Sequence, residues 1–484
     1  MDDRGSFPSS VLTAEAAMPV LVSTDVVGGR GLLVAALFAY LKSSLMGIFS
    51  VVVWLLRGRE CLERKLAEAG VNPALALTPR LAAVVNAAAA EGRAVYFLAR
   101  RCSPLFEAVA ASHPAIAGVV IEPRASGSAL SRGSLKLTDR FPEGYDALVR
   151  RRRRVEVVRH APDSALAPTF AAAPSAALAK EEFPHPSTLR ELARCLRLHQ
   201  CVKNVVVFVP IVLGGALTDL PSFMHTLLAF IGLSLVASGT YLLNDIWDVV
   251  DDRSHWSKRE RPIASGGLSA ATALAVALAL IPAGIALGAV VSMVTCAFLL
   301  LYLGLTLCYT VHLKTAPFVD GLTLASLFTI RLGIGAAAAG VPPSAWLFVF
   351  SMFLFSSLSY AKRYTEISRA IVRQSQSING RGYRPVDAPM VLTIGLSTGV
   401  GAVMIMVLYI VEEAFRSSFY GSTGWLWGFP PLMFLFIIRI WLVSARGEMM
   451  DDPVAFAIKD RMCLGLLVLL MICFGMAWLG LGGP

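Results

Sequence analysis

Residues 244–252 read Asn-Asp-Ile-Trp-Asp-Val-Val-Asp-Asp and directly follow a long apolar run. Carboxylates are costly near a bilayer, so a cluster of them at the end of a membrane helix indicates a function. Asn244, Asp248 and Asp252 recur at intervals of four, which on a helix places three oxygen ligands on one face. Such oxygens suit Mg²⁺, which commonly binds one or two carboxylates together with substrate phosphates. The stretch therefore predicts a magnesium site beside a membrane helix.

A basic run follows the acidic stretch at once, with Arg253, Lys258, Arg259 and Arg261. Cations beside metal-binding carboxylates favour a diphosphate site, because Lys and bidentate Arg are the usual phosphate ligands. On charge alone, the same residues also fit a loop that is charged simply to remain in water. Each cation taken singly also fits the excess of Lys and Arg in cytoplasmic loops.

Apolar composition decides the broad class of the protein. Of the 484 residues, 56% are hydrophobic and 16% are charged. From residue 203 onward, roughly nine apolar runs reach the length of a membrane helix. They lie near 203–217, 222–245, 268–288, 290–310, 316–340, 344–361, 389–411, 424–443 and 462–481. The sequence therefore predicts a mainly α-helical, polytopic membrane bundle of about nine transmembrane helices.

Lys and Arg gather in alternate loops of this half, which predicts its orientation. If the N-terminal half is cytoplasmic, the cytoplasmic loops hold nearly all of these cations and the opposite loops carry only Arg416. The net charge of +10 is largely this asymmetry plus the run Arg150–Arg154. We attribute it to affinity for anionic lipid and phosphate rather than for nucleic acid. The acidic stretch then lies on the cytoplasmic side.

The first 158 residues predict a small α/β domain. Strand-like runs at Val20–Val22, Ala94–Leu98 and Gly118–Ile121 alternate with helical stretches, which favours a parallel sheet. The helical stretches lie near 61–70, 79–91 and 104–112. An Ala- and Pro-rich linker at 159–186 separates this domain from the membrane domain at 187–484.

The apolar segment Leu32–Leu56 is ambiguous. It is apolar enough for a membrane hairpin, but Lys42, Ser43 and Ser44 interrupt it. We interpret it as a hydrophobic cap helix that rests on the membrane surface.

The membrane half resembles the UbiA superfamily of intramembrane prenyltransferases, with Asn244-Asp245-x-x-Asp248-x-x-x-Asp252 as the first motif. Within it, the chain is similar to the decaprenyl-phosphate phosphoribosyltransferase branch. The further landmarks are Gln200-x-x-Lys203-Asn204, the basic stretch Asp252–Gly266, Tyr309-x-x-x-x-Lys314-x-x-Pro317-x-x-Asp320, Lys362-Arg363-Tyr364-x-Glu366 and Asp452-Pro453 followed by Lys459-Asp460-Arg461. Leu324 stands where aromatic prenyltransferases carry another carboxylate, so the second motif keeps only Asp320. This departure agrees with the phosphoribosyl branch.

The resemblance implies roles for particular residues. Mg²⁺ would be held by Asn244, Asp248 and Asp252, and catalysis would rest on Asp248, Asp252 and Asp320. Asp320 would hold a second metal, orient a ribose hydroxyl or act as a general base, and the sequence leaves these open. The implied substrate contacts are Lys203, Asn204, Lys258, Arg259, Arg261, Lys314 and Arg331.

Arg331 stands inside an apolar run, where a charge needs a partner or a polar cavity. Two partners fit this requirement, the carboxylate of Asp320 and the phosphate of a lipid substrate.

These observations lead to the hypothesis that the protein is an integral enzyme of the bacterial inner membrane, with its active site and N-terminal domain on the cytoplasmic side. The preferred reaction transfers 5-phosphoribose from phosphoribosyl diphosphate to a polyprenyl phosphate with Mg²⁺. The alternative is transfer of a polyprenyl group from its diphosphate to an aromatic or other small acceptor. A non-catalytic transporter or lipid-binding module is the rival from another class. The oligomeric state stays open, and no nucleic-acid partner is expected.

The N-terminal domain resembles the haloacid dehalogenase-like fold. That family carries Asp-x-Asp-Gly-Thr after its first strand, whereas this chain has Ser23-Thr24-Asp25-Val26-Val27. Ser23 stands at the position of the nucleophilic carboxylate, Arg100 or Arg101 at that of a Thr or Ser, and Asp146 in the acidic region, while Lys136 matches the family's lysine. A serine cannot support aspartyl-phosphate chemistry. We therefore expect a catalytically inactive scaffold or docking domain and no phosphomonoester hydrolysis.

Overall fold

The computed structural model describes the chain in separate segments. They are residues 20–23, 29–44, 47–70, 72, 75, 77–92, 95–99, 103–121, 136–137, 156–160, 182–183, 188–255, 258–372, 381–416, 419–449 and 453–480. The chain forms two compact units, each of which combines distant parts of the sequence. The first unit comprises Met1–Leu196 and Leu242–Val276, and the second comprises Arg197–Tyr241 and Ala277–Pro484.

A sheet of short strands organises the N-terminal part of the first unit. The strands are β1 (Val20–Ser23), β2 (Val95–Ala99), β3 (Ile116–Ile121), β4 (Lys136–Leu137), β5 (Glu156–His160) and β6 (Glu182–Phe183). Their order is β4-β3-β2-β1-β5-β6, and all neighbours are parallel except β3 and β4. Val95, Tyr96 and Phe97 are all buried, as expected for a strand that is covered on both faces. The predicted parallel α/β sheet is confirmed.

Five helices accompany the sheet in the described segments of this region. They are α1 (Gly29–Ser43), α2 (Gly47–Leu56), α3 (Arg59–Glu68), α4 (Pro79–Ala90) and α5 (Pro104–Ser112). Thr78 begins α4, because its Oγ1 accepts a hydrogen bond from the Leu81 N–H at 3.3 Å. The apolar segment Leu32–Leu56 is divided between α1 and α2, as the interruption at Lys42–Ser44 predicts, and each helix is too short for a span. Contact of this segment with the membrane stays a prediction.

The remaining helices carry the acidic stretch and the apolar runs. They are α6 (Thr188–Cys195), α7 (Val209–Leu213), α8 (Leu220–Trp247), α9 (Val249–Ser254), α10 (Pro262–Ser265), α11 (Ala270–Val291), α12 (Met293–Val311), α13 (Val319–Ala339), α14 (Ala345–Val372), α15 (Ala388–Glu412), α16 (Phe429–Ala445), α17 (Pro453–Ala457) and α18 (Arg461–Leu479). Short 3₁₀ segments connect several of them, at Leu198–Phe208, Lys258–Glu260, Leu313–Thr315, Pro385–Asp387, Ala414–Arg416 and Thr423–Gly428.

Within the first unit, α10 meets the beginning of α4. Gly266 ends α10 with φ +85°, a left-handed conformation that favours glycine. A Cβ at this position would lie 2.7 Å from Cγ2 of Thr78. Gly266 therefore permits both the turn and the close approach of the two helices.

Eight helices in the described part of the chain are long and apolar enough to cross a membrane. A ninth span exists if Leu189–Cys195 and Leu198–Leu213, which meet at a bend of 43°, are counted together. The expected polytopic membrane bundle is thus confirmed. The first apolar run differs from a plain span: it is a 3₁₀ segment followed by the short α7. Pro210 lacks a backbone N–H donor and lies in the first turn of a new helix.

The second unit packs its helices closely through small residues. A Cβ built on Gly232 of α8 would lie 2.9 Å from the carbonyl oxygen of Gly284 in α11. Small residues allow such backbone contact between membrane helices, where no hydrophobic force brings helices together. Leu233, Leu299 and Ile334 are fully buried beside this contact in a core shared by α8, α12 and α13.

Candidate active site

The acidic stretch lies in the first unit, where α8 ends and α9 begins. Asp248 separates the two helices with φ −98° and ψ 9°. The break preserves the spacing of the predicted ligands, because the Asp248 N–H donates to the Asn244 carbonyl at 2.9 Å and the Asp252 N–H donates to the Asp248 carbonyl at 2.8 Å. Asn244, Asp248 and Asp252 therefore keep the helical relationship that the sequence predicts.

Arg261 binds two carboxylates of this stretch. Its Nη1 lies 2.6 Å from Oδ2 of Asp252 and 3.3 Å from Oδ1 of Asp245. Both aspartate side chains are almost fully buried. Hydrogen bonds between charged partners are the strong ones, so Arg261 fixes the beginning of α10 to the acidic stretch. Asp245 stands within the motif without a predicted role, because its burial next to a cation cannot be read from the spacing.

The environment of Asp252 alters its acidity. Burial raises the pKa of Asp252 above its ordinary value, and the positive charges of Arg261 and Lys258 partly oppose that rise. Oδ2 accepts the hydrogen bond from Arg261, whereas Oδ1 has no hydrogen-bond partner among the described residues. A buried carboxylate oxygen without a donor is a position that a cation can satisfy.

The donor set fits Mg²⁺ as an open site rather than a closed cage. Asn244, Asp248 and Asp252 offer only oxygen atoms, the ligands that Mg²⁺ prefers. No group of three or more His, Cys, Asp and Glu side chains in the described segments is arranged to hold a metal by itself. Water and substrate phosphates would have to complete the coordination, which is how Mg²⁺ is usually bound at phosphate-transfer sites.

Four further predicted phosphate contacts, three lysines and one arginine, lie in 3₁₀ segments. Lys258 and Arg259 lie in Lys258–Glu260, and Nε of Arg259 is 3.6 Å from Oε1 of the exposed Glu260. Lys203 lies in Leu198–Phe208 and Lys314 in Leu313–Thr315, both half-buried. Phosphate binding by these four residues stays a prediction.

Asp320 lies in the first turn of α13, in the second unit, and is fully buried. Its carboxylate accepts hydrogen bonds from Arg363 Nε at 2.5 Å, Tyr383 Oη at 2.6 Å, the Gly321 N–H at 2.7 Å and Arg381 Nη1 at 3.4 Å. Four donors occupy most of the acceptor capacity of a carboxylate. This arrangement favours a role in orienting the arginines over the binding of a second metal.

Glu366 completes a cluster around these arginines. Its Oε2 lies 2.6 Å from Arg363 Nη1 and 3.3 Å from Arg381 Nε. The hydroxyl of Tyr309, from the second sequence motif, lies 3.3 Å from Arg381 Nη1. Residues from α12, α13 and α14 thus converge with the segment after residue 380. Arg363 and Glu366 carry family landmarks but no predicted site role, although two opposite charges three residues apart in a membrane helix indicate a polar site.

Phe318, just before Asp320, has a strained backbone. Its φ is +65° and ψ −41°, and the Val319 N–H donates to the Pro317 carbonyl at 2.8 Å, which defines a classic γ-turn. Such a conformation persists when surrounding contacts hold it. Here the Phe318 N–H donates to the Tyr383 hydroxyl at 2.8 Å, and the Tyr360 hydroxyl donates to the Phe318 carbonyl at 3.0 Å.

Arg331 does not pair with Asp320, and that predicted alternative is wrong. Its Nε donates to Oδ1 of Asn204 at 3.0 Å, and its other nitrogens donate to the Leu327 carbonyl and the Tyr302 hydroxyl. Nδ2 of Asn204 in turn donates to Oγ of Ser234 at 3.0 Å. On a helix, side chains eleven residues apart lie about three turns from each other, which keeps Arg331 out of reach of Asp320.

Only some of the residues compared with the haloacid dehalogenase-like motif belong to the described part of the chain. Ser23 ends β1, and Lys136 begins β4 opposite Ile121. Asp25, Arg100, Arg101, Asp146 and Asp452 lie outside the described residues. The inactivity of the N-terminal domain therefore stays a prediction.

Comparison with known proteins identifies the family. The model of the UbiA prenyltransferase family matches residues 206–457. The uncharacterized protein y4nM of Sinorhizobium fredii is 32% identical over 453 residues, which cover 87% of this chain and 83% of that protein. A decaprenyl-phosphate phosphoribosyltransferase of Mycobacterium tuberculosis is 29% identical over 300 residues, covering 60% of this chain and 94% of that protein. A UbiA homolog from Archaeoglobus fulgidus, solved bound to GPP and Mg²⁺, aligns with a TM-score of 0.46 and 13% identity over 60% of this chain and 99% of that one. This chain belongs to the UbiA prenyltransferase family.

Proposed function

We propose that the protein transfers 5-phosphoribose from phosphoribosyl diphosphate to a polyprenyl phosphate, at the cytoplasmic face of a bacterial inner membrane. The observation that carries the proposal is the acidic stretch at the end of membrane helix α8, with Asn244, Asp248 and Asp252 in helical register. The similarity to decaprenyl-phosphate phosphoribosyltransferases supports this reaction within the family. The concentration of Lys and Arg in alternate loops supports the cytoplasmic orientation.

The reaction exchanges one bond at a single carbon. The bond between C1 of the ribose and the diphosphate oxygen breaks, and an oxygen of the polyprenyl phosphate forms a bond to C1. Diphosphate leaves with the electron pair, and C1 passes through a cation-like state. Mg²⁺, when bound by Asn244, Asp248 and Asp252, would neutralise the charge that develops on the leaving diphosphate.

Arg261 has the role of positioning Asp252 in this proposal. Because the guanidinium holds Oδ2, the carboxylate keeps one orientation and its Oδ1 stays available. Lys203, Lys258, Arg259 and Lys314 are assigned to phosphate contacts, as point charges or as bidentate donors. Asn204 and Arg331 are assigned to positioning, because their polar atoms already bind each other and neighbouring helices.

Asp320 is assigned to orienting Arg363 and Arg381. A fully buried carboxylate with four donors cannot easily give up its partners, since each would leave a buried charge unpaired. Its role as a general base would require release of the Tyr383 hydroxyl, which is 2.6 Å away. The N-terminal domain is proposed to be an inactive scaffold of haloacid dehalogenase-like type.

A transfer assay tests the proposal. The purified full chain, Mg²⁺, a polyprenyl phosphate and labelled phosphoribosyl diphosphate should yield labelled lipid. Asp248→Asn should reduce the rate by at least two orders of magnitude, because removal of a charged group that acts on the transition state costs about 3 kcal/mol or more. Asp219→Asn is the matched control: Asp219 precedes the opposite end of the same helix, and its Oδ2 accepts a hydrogen bond from the Ser222 N–H. It should retain activity.

The alternative reaction gives a different result in the same experiment. Prenyl transfer to an aromatic acceptor would release diphosphate from a polyprenyl diphosphate and leave phosphoribosyl diphosphate intact. Absence of labelled lipid together with prenylation of an aromatic acceptor would replace the phosphoribosyl reaction. Equal activity of Asp248→Asn and Asp219→Asn would remove the acidic stretch from catalysis.

A further inference from the structure

Lys42, in the last turn of α1, lies against the acidic stretch. Its Nζ is 2.6 Å from Oδ2 of Asp251 and 3.6 Å from Oδ1 of Asp248. All three residues belong to the first unit. In the sequence Lys42 is visible only as an interruption of an apolar segment, because its contact joins residues more than two hundred positions apart. A cation from the N-terminal region is therefore placed beside a predicted metal ligand.

The position of Lys42 is fixed by the packing of α1. The ring of Phe38, one turn earlier, meets the ring of Trp247 edge to face with centroids 6.2 Å apart. At the other end of α1, a Cβ on Gly31 would lie 3.2 Å from the backbone N of Ala270, so the helix approaches α11 closely. The contact of Lys42 with Asp248 thus belongs to a packed helix rather than to an isolated flexible side chain.

The carboxylates of Asp251 and Asp248 differ in solvent exposure, and we assign them different roles toward Lys42 on that basis. The side chain of Asp251 is 62% exposed and that of Asp248 is 18% exposed. Asp251 holds the ammonium group at hydrogen-bond distance, and Asp248 receives its charge at a slightly longer range. An ammonium group at 3.6 Å neutralises part of the charge that Asp248 would offer to a metal, and it repels a divalent cation bound there.

We propose that Lys42 is a resident counter-ion of the acidic stretch that lowers its affinity for divalent cations. The proposal rests on the proposed function, in which Asp248 is a metal ligand. α1 thereby connects the N-terminal region to metal occupancy, since any movement that withdraws Lys42 tightens metal binding. Asp251 acts as the anchor that keeps Lys42 beside Asp248.

Binding of Mn²⁺ to the purified full chain in detergent tests the proposal without any substrate. Electron paramagnetic resonance measures free Mn²⁺ in a titration. Lys42→Met should bind Mn²⁺ more tightly, on the order of fivefold, because one repelling charge is removed at a partly solvated and salt-screened site. Lys42→Arg keeps the charge and should bind like the wild type. Lys65→Met is the matched control, because Lys65 pairs with Glu68 on α3, and it should also leave the affinity unchanged.

The variants separate failure of this proposal from failure of the proposed function. Loss of Mn²⁺ binding in Asp248→Asn, with no gain in Lys42→Met, would overturn the role of Lys42 and keep the metal site. Unchanged binding in Asp248→Asn would overturn the metal site itself. Thermal unfolding without metal shows whether each variant is folded. Lys42→Gln, a second neutral variant that still donates to Asp251, decides the question if Lys42→Met does not fold.

Discussion

Tyr383 donates its hydroxyl hydrogen to Asp320 at 2.6 Å and accepts a hydrogen bond from the backbone N–H of Phe318 at 2.8 Å. One hydroxyl group thus connects the carboxylate of the second motif with the strained residue two positions before it. Burial and the nearby charge of Asp320 raise the pKa of Tyr383. The hydroxyl therefore stays protonated at physiological pH and remains a donor to Asp320.

Tyr383→Phe should destabilise the protein by about 2 kcal/mol, because it removes the acceptor of the Phe318 N–H and one of the two donors to Oδ1 of Asp320, which then keeps only the Gly321 N–H. The melting temperature in detergent micelles measures this loss. The same change at Tyr364, whose ring packs 6.0 Å from Trp441, is the matched control. Equal melting temperatures for the two variants would show that the Tyr383 hydroxyl does not hold the γ-turn at Phe318.

Local patterns were predictable from the sequence, and distant pairings were not. The spacing of Asn244, Asp248 and Asp252 is a property of one helix, so it follows from periodicity alone. The contacts of Asp320 with Arg363 and Tyr383 join residues 43 and 63 positions apart, and no local signal specifies them. Opposite charges in neighbouring membrane helices indicate that such a cluster exists but do not select the pairs.

In the fold, too, local features could be predicted from the sequence and distant contacts could not. The apolar runs predicted the membrane helices, because a span requires about 20 apolar residues whatever its neighbours are. The first run failed as a plain helix because Pro210 begins a new helical segment, a local effect that run length ignores. The contact of Lys42 with the acidic stretch could not be foreseen, because strands β2 to β6 lie between α1 and that stretch in the sequence.

Asn204 provides a test of whether the buried Arg331 is structural. Asn204→Ala should cost about 2 kcal/mol of stability, because it leaves the guanidinium without one of its acceptors. Asn204→Asp should be more stable than Asn204→Ala, since a carboxylate can accept from Arg331 Nε in the same place. Melting temperatures in detergent distinguish the variants. A pure substrate contact would instead change the KM for the lipid phosphate and leave both melting temperatures at the wild-type value.

Arg261 provides a test based on pH. Burial raises the pKa of Asp252 and Arg261 opposes that rise, so Arg261→Met should raise the pKa of Asp252 further. A carboxyl group whose pKa is higher in the folded state than in the unfolded state takes up its proton at a higher pH when folded. Its ionised form therefore opposes folding at neutral pH, and acidification through the folded pKa restores stability. Arg261→Met should lose about 2 kcal/mol at pH 7 and regain part of it as the pH falls.

Two measurements test whether Arg261→Met raises the pKa of Asp252. Melting temperatures of Arg261→Met and wild type should converge on acidification. Mn²⁺ binding, which needs ionised Asp252, should weaken at a higher pH in the variant than in the wild type. Arg64→Met is the control, because Arg64 pairs with Glu60 on the exposed face of α3, where a single ion pair contributes little. A pH profile of Arg261→Met parallel to that of Arg64→Met would mean that Arg261 does not set the ionisation of Asp252, because protonation of Asp252 on acidification should restore stability and at the same time weaken metal binding.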